Sequence, residues 1–169
     1  INIYEHMRMI RDGFQRASIL SAVFVLLVLL VAFRRLDDAL VALVPVLVGI
    51  SWLLGIMGAF DIDFDVANIV VLPLLIGIGV DAGAHMTHRW RESAAAHGGE
   101  AKLDEIVRGT GAAVLLASLT TGAGFAALMM GDYGGMKSLG MTMSLGIACC
   151  LLASVLVLPS VLALLGRAR

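Results

Sequence analysis

The sequence predicts an all-α fold: a polytopic membrane bundle of five transmembrane helices, with an N-terminal lead-in helix and short amphipathic helices on the cytoplasmic side. Three observations carry this. The 169 residues are 60% hydrophobic and only 15% charged, with a mean hydropathy of +0.96, whereas soluble domains are nearer half apolar and a quarter charged. The apolar residues sit in long runs with charges between them, as in an integral membrane protein. No alternating strand pattern of any length occurs.

The lead-in, "INIYEHMRMIRDGFQRAS", places Ile3, Met7, Ile10 and Phe14 at helical spacing and feeds directly into the first span. Crossing the hydrocarbon core takes roughly 17 to 25 apolar residues. Five runs qualify: 17–33, 39–60, 66–84, 109–130 and 138–165. The last is long enough to tilt or protrude. Between the third and fourth spans, "RWRESAAAHGGEAKLDEIVRG" holds two amphipathic pieces broken at Gly98-Gly99. The whole is expected to be one membrane domain.

The connections sort by charge. Arg34, Arg35, Arg89, Arg91, Lys102, Arg108, Arg167 and Arg169 fall on one side; Arg8, Arg11, Arg16 and Lys137 fall on the other. The positive-inside rule places the larger group, and so the C-terminus, in the cytoplasm. The chain begins with Ile and shows no signal peptide, so it reads as a piece of a longer polypeptide with something upstream on the outer face. With a net charge of −1 and no basic stripe, nothing points to nucleic acid. Cys149 and Cys150 are adjacent inside an apolar run and form neither a loop-closing disulfide nor a spaced metal motif.

Asp81 is the one charged residue inside these runs. A carboxylate in lipid costs several kcal/mol unless paired, solvated or protonated, so it is read first as a functional group. It lies about 8 or 9 Å from the middle of its span. At about 100° per residue it shares a face with Leu74, Gly77, Ala84, His85 and His88. Gly79 and Gly83 fall roughly opposite. Gly77, Gly79, Gly83, Gly122, Gly124 and Gly146 are the positions where helices are expected to approach closely. Pro73 is expected to free a carbonyl and kink the third span. Bland readings stand beside these. Asp81 could simply hydrogen-bond a neighbouring helix, and His85 and His88 are either relay groups or interfacial histidines beside Arg89 and Arg91. As metal ligands, Asp81, His85 and His88 lack a further His or Cys to complete a site. On the fourth span Thr120 and Thr121 fall near the midplane; they could bond their own helix's carbonyls or serve a carboxylate on a neighbour. The small stripe Ser138, Thr142, Gly146 and Cys150 reads as packing.

Two strings resemble a known family: "DVANIVVLPLLIGIGVDAGAHMTHRWRE" and "SLTTGAGFAALMMGDYGGMKSLGMTMSLGIACCLLASVLVLPSVLALL". Together they are similar to the resistance–nodulation–division (RND) superfamily, closest to its MMPL and hopanoid-associated branches in bacterial inner membranes. The same five-span unit also resembles the sterol-sensing domain of eukaryotic relatives. The resemblance implies the membrane part of one half, by its wording the C-terminal half, of a transporter driven by the proton gradient. It implies no cofactor and no enzymatic activity. Asp81 would bind the proton, with Thr121 and its neighbour Thr120 assisting the relay. Drug-exporting members often carry a lysine on this span; here Asp81 is followed by Ala82, so a lipid-exporting arrangement fits better. The implied partners are the first half and periplasmic domains of the same transporter, a lipid-like substrate of the hopanoid or sterol class, membrane lipids and a homo-oligomeric copy. Two competing readings are a sterol-sensing-like lipid scaffold that does not pump and an intramembrane aspartyl protease. "GIGVD" has one residue too many before its acid for that protease motif, and a second intramembrane Asp is lacking.

Overall fold

Long apolar runs with few turn residues leave the backbone no partner in lipid but itself, which dictates helices. A computed structural model describes residues 3–65, 67–97 and 103–167. Its helices are α1 (Ile3–Phe33), α2 (Leu36–Ala59), α3 (Val71–Ala96), α4 (Leu103–Ala127), α5 (Gly134–Leu152) and α6 (Leu158–Arg167). Five stretches are long and apolar enough to cross a membrane, the fifth running continuously from Gly134 to Leu164. Among the described residues there is no strand.

The lead-in and first span form the single helix α1. It reverses into α2 through Arg34 and Arg35, with Arg34 at φ 53°, a left-handed conformation that turns the chain without glycine. The two amphipathic pieces expected around Gly98-Gly99 are the ends of α3 and α4; the glycines themselves lie outside the described residues. Pro73, where a kink is expected, sits in the first turn of α3, just after the 3-10 turn Asn68–Val70 that leads into it. Its carbonyl accepts the Ser21 hydroxyl of α1 at 3.3 Å. The interior proline is Pro45 of α2. Between α5 and α6 the backbone forms a π-helical turn over Ala153–Val157, just ahead of Pro159, which cannot donate back into the ladder.

Helix α3 runs through the middle and packs on all the others. At one end Val71 and Leu75 join Val46, Leu53 and Met57 of α2 and Met143, Ile147 and Cys150 of α5. At the other end Met86 and Trp90 join Ile106 and Val114 of α4 and Leu158 and Leu162 of α6. A third cluster sets Leu29 and Phe33 of α1 on Ala39 and Ala42 of α2.

Close approach depends on glycine at the α2–α3 crossing. A Cβ on Gly83 would run into the carbonyl of Ala42, and one on Gly79 would lie 2.8 Å from Val46 Cγ2. Gly146 of α5 makes the same kind of approach to α3, 2.9 Å from Leu75 Cδ2. Gly122 has only an ordinary contact with Ile147. Gly77 and Gly124 face open space and are not packing positions within this chain. Their helical angles turn them away from every neighbour.

Two polar clusters fix the helix ends. At the α1–α2 corner the buried carboxylate of Asp38 lies 3.1 Å from the Arg91 guanidinium, which also donates to the Phe33 carbonyl at 3.2 Å. The Arg91 N–H is not aligned on the carboxylate oxygen, so this contact is an ion pair and not a directed hydrogen bond. At the opposite end Asp65 accepts the N–H groups of Ala67 and Asn68, and buried Asn68 donates to the Asp63 carbonyl and to the Ser138 hydroxyl. Partial burial pushes the Asp65 carboxyl up, but hydrogen bonds from Ser138, Asn68 and Ala67 outweigh it and hold the group below the usual value. Asp65 is thus the capping group that starts the third span.

Candidate functional site

Helices α3 and α4 meet at their Trp90–Ile106 end and diverge toward the middle of the bundle. The gap is a groove of about 570 Å³. From α3 it takes Ile78, Asp81, Ala82, His85 and Arg89, a strip at the three- and four-residue spacing of one helix face. From α4 it takes small and hydroxyl-bearing residues, chiefly Thr110, Ala113, Ala117, Ser118 and Thr121. Small side chains on α4 keep the groove open, and α3 supplies its charge.

Asp81 is not buried by this chain: its side chain is 73% exposed into the groove. Its Oδ1 lies 3.3 Å from Nε2 of His85, one turn along. The structure also brings Asp81 and Thr121 to the same groove, although they are 40 positions apart in a chain numbered as here. The Thr121 hydroxyl donates to the Ala117 carbonyl at 2.9 Å, which leaves its oxygen free to accept a hydrogen bond from an acid or a water. Thr120 is not part of the groove. Its exposed hydroxyl bonds the Leu116 and Ala117 carbonyls of its own helix.

Asp81, His85 and His88 lie within about 60° of one another on α3, but only the first two line the groove. The groove face centres on His85, and His88 turns toward α1, with its ring 6.4 Å from that of Phe33 and its Nδ1 3.5 Å from Glu92. Ala84 likewise packs toward the α1–α2 cluster. At about 100° per residue His88 falls only about 20° from Asp81, but on the side away from His85, and Asp81 already stands at the edge of the groove. Separating the two histidines also removes the D-x3-H-x2-H metal reading, and among the described residues no group of three His, Cys, Asp or Glu could hold an ion. Gly79 and Gly83 back the groove on the far side of α3, clamping the helix to α2 so that its acid-bearing face stays outward.

Sequence reasoning missed Asp38, Asn68 and Arg91. The available signal for Asp38 and Arg91 was opposite charge at the same end of two adjacent spans. For Asn68 it was a polar residue opening an otherwise apolar run.

The sequence profile of the MMPL family matches residues 4–169. The chain is 32% identical to a putative membrane protein of Methanocaldococcus jannaschii over 85% of its length and 37% of the relative's. It is 28% identical to the hopanoid transporter HpnN of Burkholderia multivorans over all of this chain and 18% of that protein. With HpnN of Rhodopseudomonas palustris it shares 30% identity over 93% of this chain and 17% of the transporter. The chain therefore spans between about a sixth and somewhat over a third of the relatives it matches. Five membrane-length helices, the glycine-backed acid and a family match along almost the entire sequence converge: the chain belongs to the MMPL family.

Proposed function

We propose that this chain is the five-span membrane unit of an RND-type secondary transporter, which uses the proton gradient to export a hydrophobic, lipid-like substrate of the hopanoid or sterol class. It needs no cofactor and catalyses no covalent chemistry. The observation that carries this reading is the placement of Asp81 and Thr121 on one open groove in a chain similar to hopanoid transporters. Asp81 alternates between carboxylate and carboxylic acid. Each state favours a different partner for the exposed face of α3, so protonation is converted into helix movement. The groove face that this chain leaves uncovered is where the first half of the same transporter packs. On this reading the protein lies in a bacterial inner membrane with its C-terminus in the cytoplasm.

The test is Asp81→Asn in the full protein, reconstituted in vesicles with an imposed proton gradient. The substitution keeps size and polarity and removes the proton-binding group. Gradient-driven lipid movement is expected to be lost while the protein remains folded and inserted. Undiminished transport overturns the proposal. A lipid-holding scaffold gives another pattern, with lipid binding that ignores both the substitution and collapse of the gradient.

A further inference from the structure

The groove holding Asp81 does not end at His85. Arg89 lines it and also lines a second cavity of about 630 Å³ with Glu92, Ser93, Ala96, His97 and Ile106. Arg89 borders both, so polar and charged side chains of α3 follow one another in a strip from Asp81 to His97, about 24 Å at the rise of an α-helix. In the other direction the lining stops at Ile78 and Thr121.

We propose that this strip is a water-filled half-channel joining Asp81 to the Arg89–His97 end of α3, with His85 as the first proton acceptor. The inference rests on the reading of Asp81 as the proton carrier. His85 is on the path, 67% exposed in its side chain and 3.3 Å from the acid. In transfer, the carboxylic O–H of Asp81 breaks and its proton joins Nε2 of neutral His85, leaving carboxylate and imidazolium. The imidazolium then releases its Nδ1 proton to groove water, and tautomer exchange resets the ring.

His85 stands between the two charged groups of the groove, Asp81 one turn back and Arg89 one turn on. Arg89 itself is held by Glu92 at 2.9 Å, which also takes His88 at 3.5 Å and so leaves a titratable pair beside the exit. Across the groove, α4 contributes the hydroxyls of Thr110, Ser118 and Thr121 and no titratable side chain. The groups able to pass a proton along this strip therefore all belong to α3.

Two measurements on the full protein in sealed vesicles test this. Ala113→Cys and Ala117→Cys place thiols on the groove wall; Leu116→Cys places one on the exposed apolar flank of α4. A charged, membrane-impermeant thiosulfonate is expected to label the two groove thiols from the side bearing the Arg89 end of α3 only, and to leave the flank thiol unlabelled. The parent protein serves as background for Cys149 and Cys150, which are free and buried. No labelling of the groove, or equal labelling from both sides, overturns the half-channel. In the second measurement, His85→Gln is expected to slow proton flux at least about ten-fold, somewhat under the usual worth of a positioned acid–base group because water substitutes in part. Added imidazole is expected to restore it. Loss of flux in Asp81→Asn with full flux in His85→Gln overturns the His85 route alone. Full flux in both variants overturns the proton-carrier reading and this inference with it.

Discussion

At the scale of single residues, a lone carboxylate in an apolar run was legible from sequence because such groups are costly in lipid. Its surroundings were less so. Helical angles placed His85 near Asp81 correctly but could not say that the groove is centred on His85, because that depends on where α4 lies. Thr120 and Thr121 are indistinguishable in sequence, and the structure separates them. Both hydroxyls donate to carbonyls of their own helix, but only Thr121 presents its acceptor oxygen to the groove. Thr121→Ala is therefore expected to slow transport by about two- to ten-fold, the equivalent of one neutral hydrogen bond of ~0.5–1.5 kcal/mol. Thr120→Ala is expected to leave transport unchanged; the pair of initial rates in vesicles decides it. Asp38 was illegible for the converse reason. Arg34 and Arg35 precede it and offer local partners in the sequence, and only the fold brings Arg91 to the buried carboxylate.

At the scale of elements, α3 works by having two unlike faces. One presents Gly79 and Gly83 to α2; the other presents Asp81 and His85 to the groove. The G-x-x-x-G spacing made the first face readable. Gly77 and Gly124 look equivalent in sequence, yet a Cβ at either meets nothing within 4 Å. That contrast is testable. Gly83→Ala forces a methyl group against the Ala42 carbonyl and is expected to cost about 1–3 kcal/mol, the usual penalty of overpacking. Gly77→Ala is expected to be neutral or slightly stabilising, since alanine is the better helix former by about 1 kcal/mol. Thermal unfolding of the two variants in the same detergent distinguishes them, and equal losses would refute the assignment of faces. The ends of α3 were the less legible part. Its start is set by the Asp65 cap and the Asn68–Ser138 contact, and its far end by the Asp38–Arg91 ion pair. All but the cap depend on partners distant in sequence.

At the scale of the whole molecule, the bundle is lopsided. In its most apolar window the fifth span has 39% of residues buried, while the fourth has 6%. Helix α4 packs on α3, α5 and α6 yet leaves most of its surface uncovered, and the groove beside it opens outward. The overall plan of five spans followed from hydropathy alone, because bilayer thickness fixes helix length. Which helix lies at the centre did not follow, since every span is apolar nearly all round and the pattern carries little directional information. The arrangement places the acid-bearing helix at the centre and leaves its polar strip uncovered by the described residues of this chain. On this account, a protonation change at one carboxylate alters how that uncovered face packs and so reaches the entire bundle.

The most direct measurement of that claim is infrared difference spectroscopy of the full protein in lipid, recorded as the pH is stepped downward. A carbonyl-stretch component of a newly protonated carboxylic acid is expected in the parent protein and missing from the otherwise similar spectrum of Asp81→Asn. An unaltered band in Asp81→Asn would show that the proton is carried elsewhere and would contradict the account.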